Sequence, residues 1–97
     1  MRFKDQVVLV TGSSRNTGFE IAAQFANEGA LVFIHGSTAD GVHDAANKLR
    51  ARGCERIVEA AANLGDPAAI QELFKQVRDL AGRLDVPVNN AADLACG

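Results

Sequence analysis

Between Thr11 and Gly18 the chain reads Thr-Gly-Ser-Ser-Arg-Asn-Thr-Gly, a run of small and polar residues that follows an apolar stretch and precedes a helical pattern. Gly12 can turn the chain tightly, Ser13 and Ser14 let a ligand approach the backbone, and Gly18 lets the next helix lie close to its neighbours. The first N–H groups of that helix lack partners within it and carry the positive end of its dipole, so they attract an anion. A pyrophosphate suits this arrangement. The next polar cluster is His35-Gly36-Ser37-Thr38, after a second apolar run. A carboxylate there would bind a ribose 2′-hydroxyl and repel a 2′-phosphate, but none is present, and Ser37 and Thr38 offer hydroxyl donors instead.

Other chemistry is narrowed by what is missing. The chain contains no tyrosine and no tryptophan, so a phenolic acid or base is excluded and no catalytic residue is assigned. His35 and His43 have no cysteine, carboxylate or second histidine at ligand spacing; both are expected at the surface or in loops, and no metal site is expected. Cys54 and Cys96 are far apart in sequence, lack a CxxC pattern and are expected at opposite ends of the fold, beyond disulfide reach. Asp66, directly before Pro67, reads as a helix N-cap and not as a catalytic acid.

The elements that position these residues alternate. Gln6 to Thr11 is apolar and β-branched without a polar face, as in a strand buried on both sides. Thr17 to Glu28 places Ile21, Ala22, Phe25 and Ala26 at helical spacing, with Gly29 as the stop. A second strand is expected at Ala30 to Ile34, and a second helix at Ala39 to Arg52 with Val42, Ala45, Ala46 and Leu49 inward and Gly53 at its end. Arg56 to Ala60 reads as a third strand. A third helix starts at Asp66-Pro67, carries the stripe Ile70, Leu73, Phe74, Val77, Leu80 and Ala81, and stops at Gly82; Leu84 to Val88 is a fourth strand. Phe25, Phe33 and Phe74 are expected in the core. This alternation specifies an α/β fold with a parallel sheet covered on both faces. Ligands of such sheets bind at the carboxyl ends of the strands, where the two polar clusters fall.

The 97 residues make one domain or part of one, with 47% hydrophobic and 23% charged residues. A net charge of -2 gives no footprint for nucleic acid or an anionic membrane. The N-terminus has mixed charge and no apolar run is long enough for a leader or a span, so a cytoplasmic protein with reduced thiols is expected.

The sequence resembles the short-chain dehydrogenase/reductase family. Its cofactor loop, Thr-Gly-x-x-x-Gly-x-Gly, is matched by Thr11, Gly12 and Gly18, and its Asn-Asn-Ala-Gly signature is approximated by Asn89-Asn90-Ala91-Ala92 after Gly82-Arg83-Leu84-Asp85. Both lie in order at family spacing, and the likeness is greatest to the ketoacyl-carrier-protein reductase branch. It implies a three-layer Rossmann-like sheet in the strand order 3-2-1-4, cut after the fourth strand, so that residues 1–97 form a single partial dinucleotide-binding domain. The implied cofactor-binding residues are Gly12, Ser13, Ser14, Arg15, Asn16, Thr17, Gly18, Ser37, Thr38, Asn63, Asn89 and Ala91. Arg15 stands where NADP-using relatives place an arginine, which favours NADP over NAD. Asn16 replaces the middle glycine and, among other residues, best tolerates a positive φ if one is needed there. Asn63 falls where many relatives carry an aspartate near the adenine, Ala92 replaces a glycine, and Pro87 interrupts the fourth strand.

The resemblance places the family's catalytic Ser and Tyr-x-x-x-Lys in a later segment outside these residues, so the chain alone is expected to be inactive. The leading expectation is the NADP(H)-binding N-terminal half of such a reductase. A stand-alone nucleotide-binding module, or a scaffold without catalysis, is the alternative. Strand four, Leu84 to Asn89, and the neighbouring face of helix three are expected to be left apolar and uncovered, which predicts a homo-oligomer formed there.

Overall fold

The computed structural model describes residues 4–14 and 16–88. Four β-branched or leucine side chains in a row open it as β1, Val7–Val10, and every one of them is buried. Helix α1 follows at Asn16–Asn27, then β2 at Leu31–Gly36, α2 at Ala39–Ala51, β3 at Ile57–Ala61, α3 at Pro67–Ala81 and β4 at Val86–Val88. All pairings are parallel and the sheet order is β3-β2-β1-β4, as the sequence led one to expect.

Alternation along the central strands sorts the side chains into two layers. Val8, Val10, Val32 and Ile34 face α1 and α2, where they meet Phe19, Ala22, Val42, Ala46 and Leu49. Val7, Leu9 and Phe33 face the other way, toward Leu73 and Val77 of α3. Removing such a side chain from water contributes about 1.5–3 kcal/mol each. Surface ion pairs such as Arg50–Glu59, 2.9 Å apart, contribute about 0–1 kcal/mol, so packing decides the fold.

Helix ends follow local chemistry. Asp66 caps α3 by accepting the Ala68 N–H at 3.0 Å, with Pro67 in the first turn, and Gly82 closes the helix at φ 77 while donating its N–H to Arg78. Asp85 ties the edge strand β4 down: its carboxylate accepts the Val7 N–H at 2.7 Å and receives Arg83 in a fork. Pro87 lies opposite Leu9 in this three-residue edge strand, where a missing N–H is tolerated.

Two expectations need correction. Strand β2 runs on to Gly36, because His35 and Gly36 find partners in Ala60 and Ala61 of β3, and His35 is therefore buried in the sheet and not in a loop. Phe74 is 40% exposed and Leu80 63% exposed, because α3 turns only Leu73 and Val77 fully onto the sheet. Asn16 is the first residue of α1. Cys54 is a buried free thiol; Cys96 lies outside the described residues.

Candidate functional site

Where β1 ends, Gly12 takes φ 64, a conformation that favours glycine, and swings the chain from the strand toward α1. The turn is held against the end of β2 by four hydrogen bonds. Gly12 donates its N–H to His35 Nδ1 at 3.0 Å, and Ser13 donates its N–H to the His35 carbonyl at 2.7 Å. The Ser13 hydroxyl accepts the His35 N–H at 2.7 Å and donates back to the His35 carbonyl at 3.3 Å. Ser13 is fully buried with its N–H and hydroxyl both bonded to His35, so it shapes the turn and offers neither group to a ligand.

His35 Nε2 lies 2.9 Å from the Ala62 carbonyl, which accepts only. That nitrogen must therefore carry the proton and Nδ1 must be bare, a neutral ring fixed in one tautomer by its partners. Burial pushes the imidazole below its ordinary proton affinity, and the Ala62 carbonyl acts weakly against it. Nothing in the local spacing of the sequence marked this histidine; its role depends on residues on two other strands.

Gly36 has no room for a side chain. A Cβ there would sit 2.9 Å from Ser14 Oγ and 3.0 Å from Val42 Cγ2, so Ser14 packs directly on the strand end. No carboxylate can stand at this position without moving the turn. Ser37 and Thr38 are exposed beyond it, and Thr38 caps α2 by accepting the Gly41 N–H at 3.2 Å. On α1, Thr17 is exposed and Gly18 buried, and the first turn carries no acidic residue to repel an anion. Asn63, exposed after β3, is occupied by the Gly65 N–H at 3.0 Å. On the other side β4 reaches the turn, with Thr11 donating its N–H to the Val88 carbonyl at 3.0 Å.

The structure thus gathers Gly12, Ser13, Ser14, Thr17, Gly18, Ser37 and Thr38 at the carboxyl ends of β1 and β2, with Asn63 beyond β3. Asn16 is the first residue of α1; Arg15, Asn89 and Ala91 lie outside the described residues. A cleft at the opposite end of the sheet, bordered by Asn27, Gly53, Cys54 and Arg56, has its polar groups engaged: the Cys54 thiol faces Asn27 Oδ1 at 3.7 Å and Arg56 pairs with Asp5. Among the described residues no group of three or more metal-ligating side chains occurs, and no helix is long and apolar enough to cross a membrane.

Comparison with known proteins agrees with this geometry. The family described as short chain dehydrogenase matches residues 6–95. The mouse (Mus musculus) dehydrogenase/reductase SDR family member 1 is 40% identical over 89 residues, covering 91% of this chain and 28% of that protein. The 3-oxoacyl-acyl-carrier-protein reductase of Escherichia coli is 34% identical over 91 residues, covering 94% of this chain and 36% of that one. A metagenomic short-chain oxidoreductase, solved in complex with NADP, superposes with a TM-score of 0.86 at 32% identity over 94% of this chain and 41% of the other. The chain spans about a third of the length of the curated relatives it matches. With the Gly12 turn, the parallel 3-2-1-4 sheet and the match over residues 6–95 all in agreement, this chain belongs to the short-chain dehydrogenase family.

Proposed function

We propose that the chain is the NADP(H)-binding portion of a short-chain dehydrogenase/reductase, a single partial dinucleotide-binding domain. The observation that carries this reading is the end of β2: Gly36 is closed to any side chain, so the carboxylate that would select a free ribose 2′-hydroxyl has no place there. The residues present fit the group. The turn Gly12-Ser13-Ser14 and the acid-free start of α1 would take the pyrophosphate, and Ser37, Thr38 and Arg15 would take the 2′-phosphate. Asn63 would lie by the adenine, and the family resemblance adds Asn89 and Ala91 to the residues that would contact the cofactor. The nicotinamide, when bound, supplies the redox chemistry.

This chain's own residues bind and orient. With no tyrosine in the sequence, the acid that completes reduction must come from elsewhere, and the isolated chain is expected not to oxidise NADPH against ketones.

Calorimetric titration with NADP+, NAD+ and ADP tests the reading. NADP+ should bind more tightly than NAD+, and Arg15→Glu should reduce or reverse that preference. Equal or tighter binding of NAD+, or an unchanged preference in Arg15→Glu, would overturn it.

A further inference from the structure

The nucleotide-binding reading above assigns no work to His35, yet this ring is the largest polar side chain buried in the described structure. It bridges three strand ends. Nδ1 receives the Gly12 N–H of the β1–α1 turn, the backbone sits in β2, and Nε2 reaches the Ala62 carbonyl just past β3. Only a neutral imidazole satisfies both contacts. A proton on Nδ1 would set two donors, the new N–H and that of Gly12, against each other at 3.0 Å, and the Gly12 bond would be lost.

Resting on that reading, we propose that His35 is a positioning residue for the nucleotide loop: as the neutral Nε2–H tautomer it holds Gly12 in its left-handed turn, and on protonation it gives up the Gly12 bond while the Ser13 bonds to its backbone remain, so that the loop loosens and the phosphate site weakens at acid pH. Among the described residues no charge offsets this. Thr11 to Ser14 carry none, and Arg15 is the nearest charged residue along the turn in sequence. On β3, Glu59 is paired with His43 and Arg50; on α2 the carboxylates are Asp40 and Asp44; on α3, which covers the sheet face of Phe33 and His35, the charged groups are Asp66 at the cap, Glu72, Lys75, Arg78 and Asp79, and none of these described groups acts on the ring, whose proton affinity is lowered by burial and raised to a lesser degree by the Ala62 carbonyl. The geometry makes the loop a proton-sensitive element without a second ionisable partner.

The test uses the 97-residue chain and two independent readouts. In the free chain, nitrogen-15 NMR from about pH 8 to about pH 4.5 follows the His35 ring and the Gly12 amide. The Nε2–H tautomer is expected at neutral pH, and Gly12 protection from exchange should fall roughly tenfold as the ring titrates. With NADP+, affinity should fall over the same pH range in the wild type. In His35→Asn, whose amide oxygen can take the Nδ1 position and does not titrate, that part of the fall should be absent; comparing the two profiles cancels the titration of the 2′-phosphate itself. An Nδ1–H tautomer, Gly12 protection indifferent to the titration, tighter NADP+ binding at acid pH, or parallel profiles for the two proteins would overturn the proposal. Failure to bind NADP+ at any pH would overturn the nucleotide reading and the loop's part in it, while the ring and amide signals would still show whether His35 holds the turn.

Discussion

Two residues at the end of β2 decide how the loop is held, and neither does so through charge. His35 is neutral in the folded state because burial lowers its proton affinity from an ordinary value of about 6.5. In the unfolded chain it takes a proton near that value, so between there and the lower folded-state value the unfolded chain binds more protons and stability falls as pH falls. Urea denaturation at about pH 7.5 and about pH 5 should show this loss in the wild type and a smaller one in His35→Asn. Gly36 acts by having no side chain. Gly36→Ala places a Cβ 3.0 Å from both Ser14 Cβ and Val42 Cγ2, and the rigid branch of Val42 cannot rotate away from the strand. A cost of about 1–3 kcal/mol is expected, with weaker NADP+ binding, since Ser14 must move. Ser14→Gly in the same background should recover part of the stability and leave the part due to Val42; full recovery would show that Val42 is not a constraint.

Helix α3 shows how local signals and packing divide the work within an element. Its start and stop are written in Asp66, Pro67 and Gly82, and each behaves in the structure as its chemistry requires. Its attachment to the sheet rests on fewer side chains than its apolar stripe advertises: Leu73 and Val77 are buried, while Phe74 is partly and Leu80 mostly exposed. Asp66→Ala should cost about 1 kcal/mol through the lost cap. Leu73→Ala should cost about 2–5 kcal/mol through the cavity it leaves. Leu80→Ala should change monomer stability by less than about 0.5 kcal/mol, a contrast that denaturation midpoints of the three variants would check.

At the scale of the whole molecule the sheet ends on one side at β4, a three-residue edge strand paired with β1 and tied by Asp85 to Val7. Helix α3, packed on the sheet through Leu73 and Val77, exposes Phe74 and Leu80, both large and apolar. Among the described residues β4 is an edge, and such an edge with an apolar helix face favours association, while Pro87 blunts it by one donor. We expect a concentration-dependent homo-oligomer built on this side and not on β3. Sedimentation over a concentration series would check it. A monomer at high micromolar concentration, or an oligomer untouched by Leu80→Glu together with Phe74→Glu, would count against it.

The alternation of apolar runs with helical stripes was enough to determine the class, the element order and the location of the turn between β1 and α1, because burial periodicity and the Gly12 turn are encoded within short windows of residues. Strand order followed from the family resemblance and was met in the sheet. What the windows did not contain was anything that depends on register between strands. His35 follows an apolar run and looks like the start of a loop; only the pairing of β2 with β3 carries the strand two residues further and buries it. The inward Ser13 hydroxyl and the closed space at Gly36 depend in the same way on contacts to His35, Ser14 and Val42. Phe74 shares the helical stripe of Leu73 and Val77, yet it stays 40% exposed while they are buried, so tertiary packing decided which apolar residues became core.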